Sequence, residues 1–259
     1  MNYNSDTNII GNIPDFYMII RAMESFLEGD TSFEKLLVEE NYFGFRTAAT
    51  RGRFMRVLTS SILKFENDSH RQLVKSFLKH PDGRNHIHLL IIWQMAINNL
   101  LFRRLMNDVY FKFYFDGKVS LVRTDVMAYL MHLKQTDADF AKTNWTKKTL
   151  EHIASGFLAI LKKAAIVTGG QKKTIEVIRL SDQYLTFFLY LLNAIEKDNS
   201  NIYQSRFVNF GFVPVDLLFE RIKAIARKDW INISHAGDRL KIEPVIDYKD
   251  LANVVFNRP

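Results

Sequence analysis

Long stretches of this chain carry apolar residues three and four positions apart, with few breaks between them. Only 11 glycines and 5 prolines occur in 259 residues. This spacing places apolar side chains on one face of a helix, and a helix continues until a cap or a breaker ends it. The pattern therefore predicts a mainly α, multi-helical protein.

Capping residues place several helix boundaries. Thr47, Thr124 and Thr146 each stand at the start of an apolar-periodic segment and are expected to cap helices. Pro14 is expected to open a helix that Gly29 ends. We expect the other helices over the following segments: 31–41, 69–80, 85–99, 100–115, 124–135, 147–167, 181–197, 215–228 and 250–256.

Two short β-ribbons are expected among the helices. The first follows a tight turn at Gly169-Gly170, where residues 174–179 alternate at period two. The second has its turn at Gly237. Pro81-Asp82-Gly83 is expected to form a polar turn, and residues 198–205 an exposed linker. The predicted domains are a helical domain over 1–80, a second over 81–197 and an extension over 198–259.

The positive charge is concentrated in two segments. The chain carries a net charge of +7, but residues 46–79 carry +6, residues 146–180 carry +5, and the remainder sums to −4. This asymmetry indicates two surfaces suited to a polyanion. The alternative is that the lysines and arginines only solvate exposed helix faces.

The first basic segment has the order of a helix-turn-helix unit. A short helix ending at Asn41, a turn with glycine and a helix from Thr47 place four arginines at the start of the second helix. Recognition helices contact DNA with their N-terminal residues. The candidate DNA-binding residues here are Arg46, Arg51, Arg53 and Arg56. The alternative is a helical hairpin that carries arginine on its solvent-exposed face.

The second basic segment has the order of a winged helix. A helix over 124–135, a connector, a helix from Thr146 and the ribbon after Gly170 follow one another. Lysines in the first turn of the long helix and at the ribbon tip suit phosphate contacts. These candidate residues are Lys147, Lys148, Lys172 and Lys173. The alternative is a turn that uses lysine for solubility.

Catalytic and metal-binding patterns are missing from the sequence. The absence of cysteine removes disulfides, zinc-thiolate sites and cysteine nucleophiles. His86 and His88 diverge on a helix, and Asp137 has no evident base or further ligand near it in the sequence. We therefore expect no enzyme activity, no cofactor, no metal and no small-molecule substrate.

The apolar stretches are too short to cross a bilayer. The longest are residues 88–102 and 184–195, and a spanning helix needs about 20 apolar residues. No secretory signal opens the chain. The expectation is a cytoplasmic protein without a membrane partner.

Several stretches together resemble the BrxA family, small components of bacteriophage exclusion (BREX) defence systems. They are Val38-Glu39-Glu40-Asn41 followed by Arg46-Thr47, the helix with Trp93, the helix over 100–117, and Asn144-Trp145-Thr146-Lys147-Lys148 leading a long helix into a ribbon. The resemblance covers roughly residues 13–197. The chain departs from it at 164–167, where a glycine is expected, and after Lys197.

The resemblance implies a helical cytosolic protein, similar in parts to the NusB antitermination fold, that binds DNA and serves a defence complex. It implies no catalytic residues. The leading hypothesis is an accessory subunit that binds double-stranded DNA mainly through phosphates and works with other BREX components. The alternatives are a protein–protein adaptor within that complex and a NusB-like RNA-binding protein.

Overall fold

A computed structural model describes residues 3–29, 35, 40–41, 43–196 and 201–257. The first half of this part is helical. Its elements are α1 (Asp6–Asn12), α2 (Tyr17–Glu28), α3 (Ala48–Ser61), α4 (Asp68–Lys79), α5 (Pro81–Asn85), α6 (Ile87–Asn98), α7 (Leu100–Leu105), a π-helical segment (Met106–Phe111) and α8 (Lys112–Phe115).

The second half combines helices with two small antiparallel sheets. Its elements are β1 (Ser120–Leu121), α9 (Arg123–Thr136), α10 (Ala138–Ala141), α11 (Lys147–Lys163), β2 (Val167–Gly169), β3 (Lys173–Ile175), α12 (Asp182–Ile195), two 3-10 turns (Ile202–Gln204 and Val208–Gly211), α13 (Val215–Ala226), β4 (Ile231–Ala236), β5 (Arg239–Pro244) and α14 (Leu251–Asn257). The predicted mainly α class with short β-ribbons is confirmed.

The chain forms two compact units, and each unit is built from two separate segments. The first unit comprises Met1–Lys64 and His88–Val177, and the second comprises Phe65–Ile87 and Ile178–Pro259. In the second unit α4 packs against α12 and α14, which lie far along the chain. The domains predicted from the sequence are continuous segments, whereas each unit combines two segments. Glycine and proline mark where helices end, but they carry no signal for packing between distant segments.

Helix α6 is largely buried, and all of it except Ile87 belongs to the first unit. Trp93 and its apolar neighbours are buried, and the polar residues that interrupt this run are buried as well. Each has a partner: the Gln94 amide donates to the Ile62 carbonyl at 2.9 Å, and Asn98 donates to the Lys64 carbonyl at 3.0 Å. These bonds offset much of the cost of burying the amides, although Asn98 Oδ1 has no hydrogen-bond partner in the described part of the chain. The run therefore forms a core helix.

The predicted caps at Thr47 and Thr146 are confirmed, and so is the stop at Gly29. The Thr47 hydroxyl accepts from the Thr50 N–H, and the Thr146 hydroxyl accepts from the Thr149 N–H, both at 3.2 Å. Gly29 ends α2 with φ of 80°, a left-handed conformation that glycine adopts without strain.

Two predicted helix starts are wrong. Helix α9 begins at Arg123 and its N-cap is Val122 rather than Thr124, because the Asp125 carboxylate accepts from the Val122 N–H at 2.8 Å. Helix α2 begins at Tyr17 rather than at Pro14. The side chain of Asp15 accepts from the Tyr17 N–H and so organises the start of the helix later.

Helix α11 ends four residues earlier than predicted. It stops at Lys163, and Ala165 has φ of 56° where a glycine is the usual residue. The chain then turns into β2. The place where the sequence departs from the family pattern is thus a left-handed turn made by alanine.

Three other expectations are corrected. Residues 81–83, expected as a polar turn, begin the short helix α5, because Pro81 occupies its first turn and the His80 side chain caps it. The strand expected over 174–179 is short and ends at Ile175. Asn201 and Ser205 of the expected exposed linker are buried, and Asn201 accepts from the Leu240 N–H; residues 198–200 lie outside the described part.

The small sheet of the first unit has the order β1-β3-β2. Ser120 pairs with Thr174, and Thr168 pairs with Thr174 from the other side. Its inner face carries Leu121 and Val167, which are buried, whereas Thr168 and Thr174 face solvent. In the first unit, α8 is therefore followed by strand β1, then by helices α9, α10 and α11, and last by the β2–β3 hairpin.

The second unit contains the other hairpin, as predicted. Strands β4 and β5 pair from Ile231–Pro244 to Ala236–Arg239. The Tyr190 hydroxyl of α12 donates to the Trp230 carbonyl at 2.7 Å and accepts from the N–H of Val245. This single buried hydroxyl fixes both ends of the hairpin to α12.

Candidate functional site

Helix α11 leaves one face open along its length. Lys148, His152, Ser155 and Lys162 are exposed, and they recur at helical spacing. The opposite face is buried in the core of the first unit through the following residues: Leu150, Ile153, Phe157, Ile160 and Leu161. The open face gives α11 a surface that an external partner can reach.

The C-terminal half of α11 forms the floor of a groove, which we call the basic groove. Its walls are Gly11 at the end of α1 with residues 13–14 after it, residues 122–124 at the start of α9, and residues 170–173 at the tip of the β2–β3 hairpin. Leu158 and Ala159 supply an apolar floor. Five basic residues line the groove, and within the described chain no acidic residue does: Arg123, Lys162, Lys163, Lys172 and Lys173.

Three of these cations are available to an anionic partner. Arg123, Lys162 and Lys172 are exposed. None of them makes an ion pair or a side-chain hydrogen bond with the residues that the structure describes. Their charges are therefore not neutralised within this part of the chain, and together they favour negative charge in the groove.

Lys163 has a structural role at the side of the groove. Its ammonium donates to the Gly11 carbonyl at 2.5 Å and to the Ile10 carbonyl at 3.3 Å, at the C-terminal end of α1. Cations near helix C-termini bind the last carbonyls and complement the helix dipole. Burial lowers the pKa of Lys163 to about 8.

Lys173, predicted to contact phosphate, turns back onto its own hairpin. Its ammonium donates to the Gly169 carbonyl at 3.4 Å and also to the Gly170 carbonyl. Burial lowers the pKa of Lys173, and the nearby charge of Lys162 lowers it further. The geometry therefore gives Lys173 a contact within the turn, whereas Lys172 extends to solvent.

The two lysine pairs of the predicted winged-helix unit lie at opposite ends of α11. Lys147 and Lys148 are exposed in the first turn, and Lys162 follows Lys148 by 14 residues. At a rise of about 1.5 Å per residue, this separates the two ends by about 21 Å along the helix. The structure thus groups Lys172 and Lys173 with Lys162 rather than with Lys147 and Lys148.

The predicted arginines of the first basic segment do not share one face. Arg46 precedes the Thr47 cap and is exposed, and Arg53 and Arg56 lie on the exposed face of α3. Arg51 lies on another face and is half-buried, and its buried Nε has no hydrogen-bond partner in the described part. The preceding helix expected over 31–41 falls mostly on residues outside that part.

Arg123 and Lys162 were missed as site residues by the sequence analysis. Lys162 carries a usable signal, because it shares the exposed stripe of α11 with Lys148 and Ser155. Arg123 carries none, since it reaches the groove only because β1 pairs with β3 and sets the start of α9 beside the hairpin.

Asp137, which had no evident partner in the sequence, is held by three groups. Its carboxylate accepts from the Arg104 guanidinium at 2.7 Å, from the Tyr3 hydroxyl at 2.9 Å and from the Phe140 N–H at 2.9 Å. The Phe140 bond and the Tyr3 bond lower the pKa of Asp137, and Arg104 lowers it further. This arrangement caps α10 and fastens the N-terminal segment to the first unit.

The described residues contain no group of three His, Asp or Glu side chains placed to hold a metal ion. They also contain no helix that is long and apolar enough to span a bilayer.

Comparison with known proteins identifies a family. The family model described as BrxA matches residues 14–189. Neither a curated protein nor a solved structure shows significant similarity to the chain. The likeness to NusB that the resemblance implies therefore stays a prediction.

Proposed function

The chain belongs to the BrxA family and is thereby associated with BREX phage defence, and from this premise we propose that it is a non-catalytic subunit that binds double-stranded DNA. It would act in the cytoplasm, where the DNA lies. Binding is mainly through phosphates, and the partners are DNA and other BREX components.

The basic groove is the observation that carries this proposal. Arg123, Lys162 and Lys172 converge there, and among the described residues none that lines the groove is acidic. Cations fixed on a rigid scaffold attract the phosphate backbone and release its counterions, whatever the base sequence. A surface that only kept the protein soluble would mix both signs of charge.

The order of elements around the groove supports the same function. A strand (β1), two helices (α9 and α11, with the short α10 between them) and a hairpin (β2–β3) follow one another, and β1 pairs with β3. A winged helix has this order, with the second of the two helices facing DNA and the hairpin beside it. The open face of α11 matches that requirement, and Lys147 and Lys148 extend the basic surface at its other end.

The experiment is an electrophoretic mobility shift of a short duplex at several salt concentrations. We expect Lys162→Glu with Lys172→Glu to weaken binding by more than tenfold, because two phosphate contacts become repulsive. Lys241→Glu with Lys249→Glu, the same charge change on exposed lysines of the second unit, is expected to leave binding nearly unchanged.

Three outcomes would contradict the proposal. One is equal binding by the wild type and the groove variant. A second is stronger competition by structured RNA than by duplex DNA, which would favour the RNA-binding alternative. A third is copurification with other BREX components without any shift of naked DNA, which would favour the adaptor.

A further inference from the structure

Glu151 is an exception to the positive charge on the open face of α11. It lies in the second turn, half-exposed, with Lys148 three residues before it and Ser155 four residues after it. Residues at these spacings share a face. Glu151 makes no ion pair or side-chain hydrogen bond with any residue in the described ranges, even though Lys147 and Lys148 precede it.

A surface that only holds phosphates gains nothing from this carboxylate. A free carboxylate repels the phosphate backbone, and no ion pair neutralises it here. The major groove, in contrast, presents amino groups as hydrogen-bond donors, and a glutamate accepts from the N4 amino group of cytosine. A carboxylate at this place therefore favours a partner that offers a donor.

The position of Glu151 on the helix fits base contact. The N-terminal residues of a recognition helix are those that reach base edges; Glu151 lies in the second turn of α11, and Ser155 lies one turn further, at the midpoint of the helix. Four residues of helix span about 6 Å. That distance is roughly two base-pair steps at about 3.4 Å each, so the two side chains can reach base pairs about two steps apart.

The cations that flank Glu151 are placed to hold the backbone on both sides. Lys148 lies before it, and Lys162 lies beyond it on the same open face. Contacts to phosphates fix the register of a helix on DNA, and contacts to base edges between those phosphates specify the sequence. The stripe therefore has phosphate-binding ends and a polar centre.

We propose that α11 reads DNA sequence, with Glu151 accepting a hydrogen bond from a cytosine amino group and Ser155 contacting a base pair about two steps away. The inference rests on the proposed DNA-binding function and adds specificity to it. Glu151 and Ser155 are specificity-determining residues, whereas the basic groove supplies affinity.

The test is selection of bound duplexes from a pool with a randomised centre, using the full chain. The wild type is expected to enrich a short motif with cytosine at one fixed position. Glu151→Gln is expected to lower the discrimination for that cytosine by about tenfold, while binding to unrelated duplexes is kept. Glu220→Gln is the matched control, since Glu220 is exposed on α13 in the second unit.

The possible outcomes separate this inference from the proposed function. A wild type that binds duplexes without any enriched motif overturns the inference and leaves the DNA-binding function standing. The inference also fails if Glu151→Gln keeps the wild-type motif and raises the affinity for every duplex by the same factor. Glu151 would then only repel phosphate. A wild type that binds no duplex at low salt overturns both.

Discussion

Gly11 and Gly156 bring α1 and α11 into direct backbone contact. A Cβ atom placed on Gly11 would lie 2.3 Å from the Cα of Gly156, and one placed on Gly156 would lie 2.8 Å from the Thr7 carbonyl oxygen. Both neighbours are main-chain atoms, which cannot rotate away. This crossing fixes α1 beside α11 and so sets one wall of the basic groove.

We predict that Gly156→Ala destabilises the protein although alanine favours a helix. The gain in helix propensity is about 1 kcal/mol, and forcing a methyl group against fixed backbone costs more. A net loss of about 2 kcal/mol is expected in urea denaturation followed by circular dichroism.

The control for this prediction is Gly52→Ala. Gly52 lies within α3, and a Cβ atom there meets nothing within 4 Å. This change is expected to stabilise by about 0.5–1 kcal/mol. Equal effects of the two substitutions would show that the helices do not cross at Gly156.

Ala165→Gly is predicted to stabilise the protein. Ala165 holds φ of 56° at the end of α11, a conformation that strains an L-residue and costs glycine little. We expect a gain of about 0.5–1 kcal/mol in the free energy of unfolding. Ala164→Gly, one residue earlier at φ of −76°, is expected to destabilise instead. A loss of stability in Ala165→Gly would contradict the left-handed turn.

The pKa of Lys163 predicts a stability change at alkaline pH. Its pKa is about 8 in the folded protein against an ordinary value of 10.5, so the unfolded chain binds more protons between these values. Stability from this group therefore rises as the pH increases from about 8 to 10.5. We expect the wild type to gain stability relative to Lys163→Met across that range, as measured by urea denaturation.

Lys147→Met is the control for the pH series, because Lys147 is exposed in the first turn of the same helix. Its stability difference from the wild type is expected to stay constant over the same range. A constant difference for Lys163→Met as well would show that burial does not lower the pKa of Lys163 in the folded protein.

Helix boundaries were predictable where a single capping residue sets the end of the helix. Thr47, Thr146 and Gly29 act within one turn of their own position, so their roles are visible in the sequence. The cap predicted at Thr124 is wrong because the Asp125 carboxylate accepts from the Val122 N–H, which places the N-cap at Val122, two residues before Thr124. Two capping residues side by side leave the local pattern ambiguous.

The candidate site was predictable only in part, because it depends on distant pairing. Lys172, which lines the basic groove, was predicted from the hairpin turn. The winged-helix order was predicted from the sequence of elements and stays a prediction. Arg123 depends on the pairing of β1 with β3, and the placing of α1 depends on Gly11 and Gly156, which are far apart in the chain. A single sequence carries no signal for such pairs.

Asp137→Ala is predicted to destabilise the first unit by about 2 kcal/mol at neutral pH, since it removes a helix cap and two further hydrogen bonds. The pKa of Asp137 is lowered in the folded protein from 3.8, so its contribution is present above that pH and is lost as the pH falls through the lower folded value. The difference between variant and wild type should therefore shrink in acid denaturation.

Asp139→Ala serves as the control for Asp137→Ala. Asp139 makes an exposed ion pair with Lys142, and such pairs contribute little. We expect Asp139→Ala to change the free energy of unfolding by less than about 0.5 kcal/mol. Equal losses for the two variants would mean that Asp137 does not fasten Tyr3 and Arg104.

The salt dependence of DNA binding tests the central claim most directly. Each phosphate contact contributes about 0.9 to the slope of log affinity against log salt concentration. Lys162→Ala with Lys172→Ala should therefore reduce the slope of the wild type by about 1.8, whereas Lys241→Ala with Lys249→Ala should leave it unchanged. An identical slope for the groove variant and the wild type would contradict the assignment of the basic groove as the DNA-binding surface.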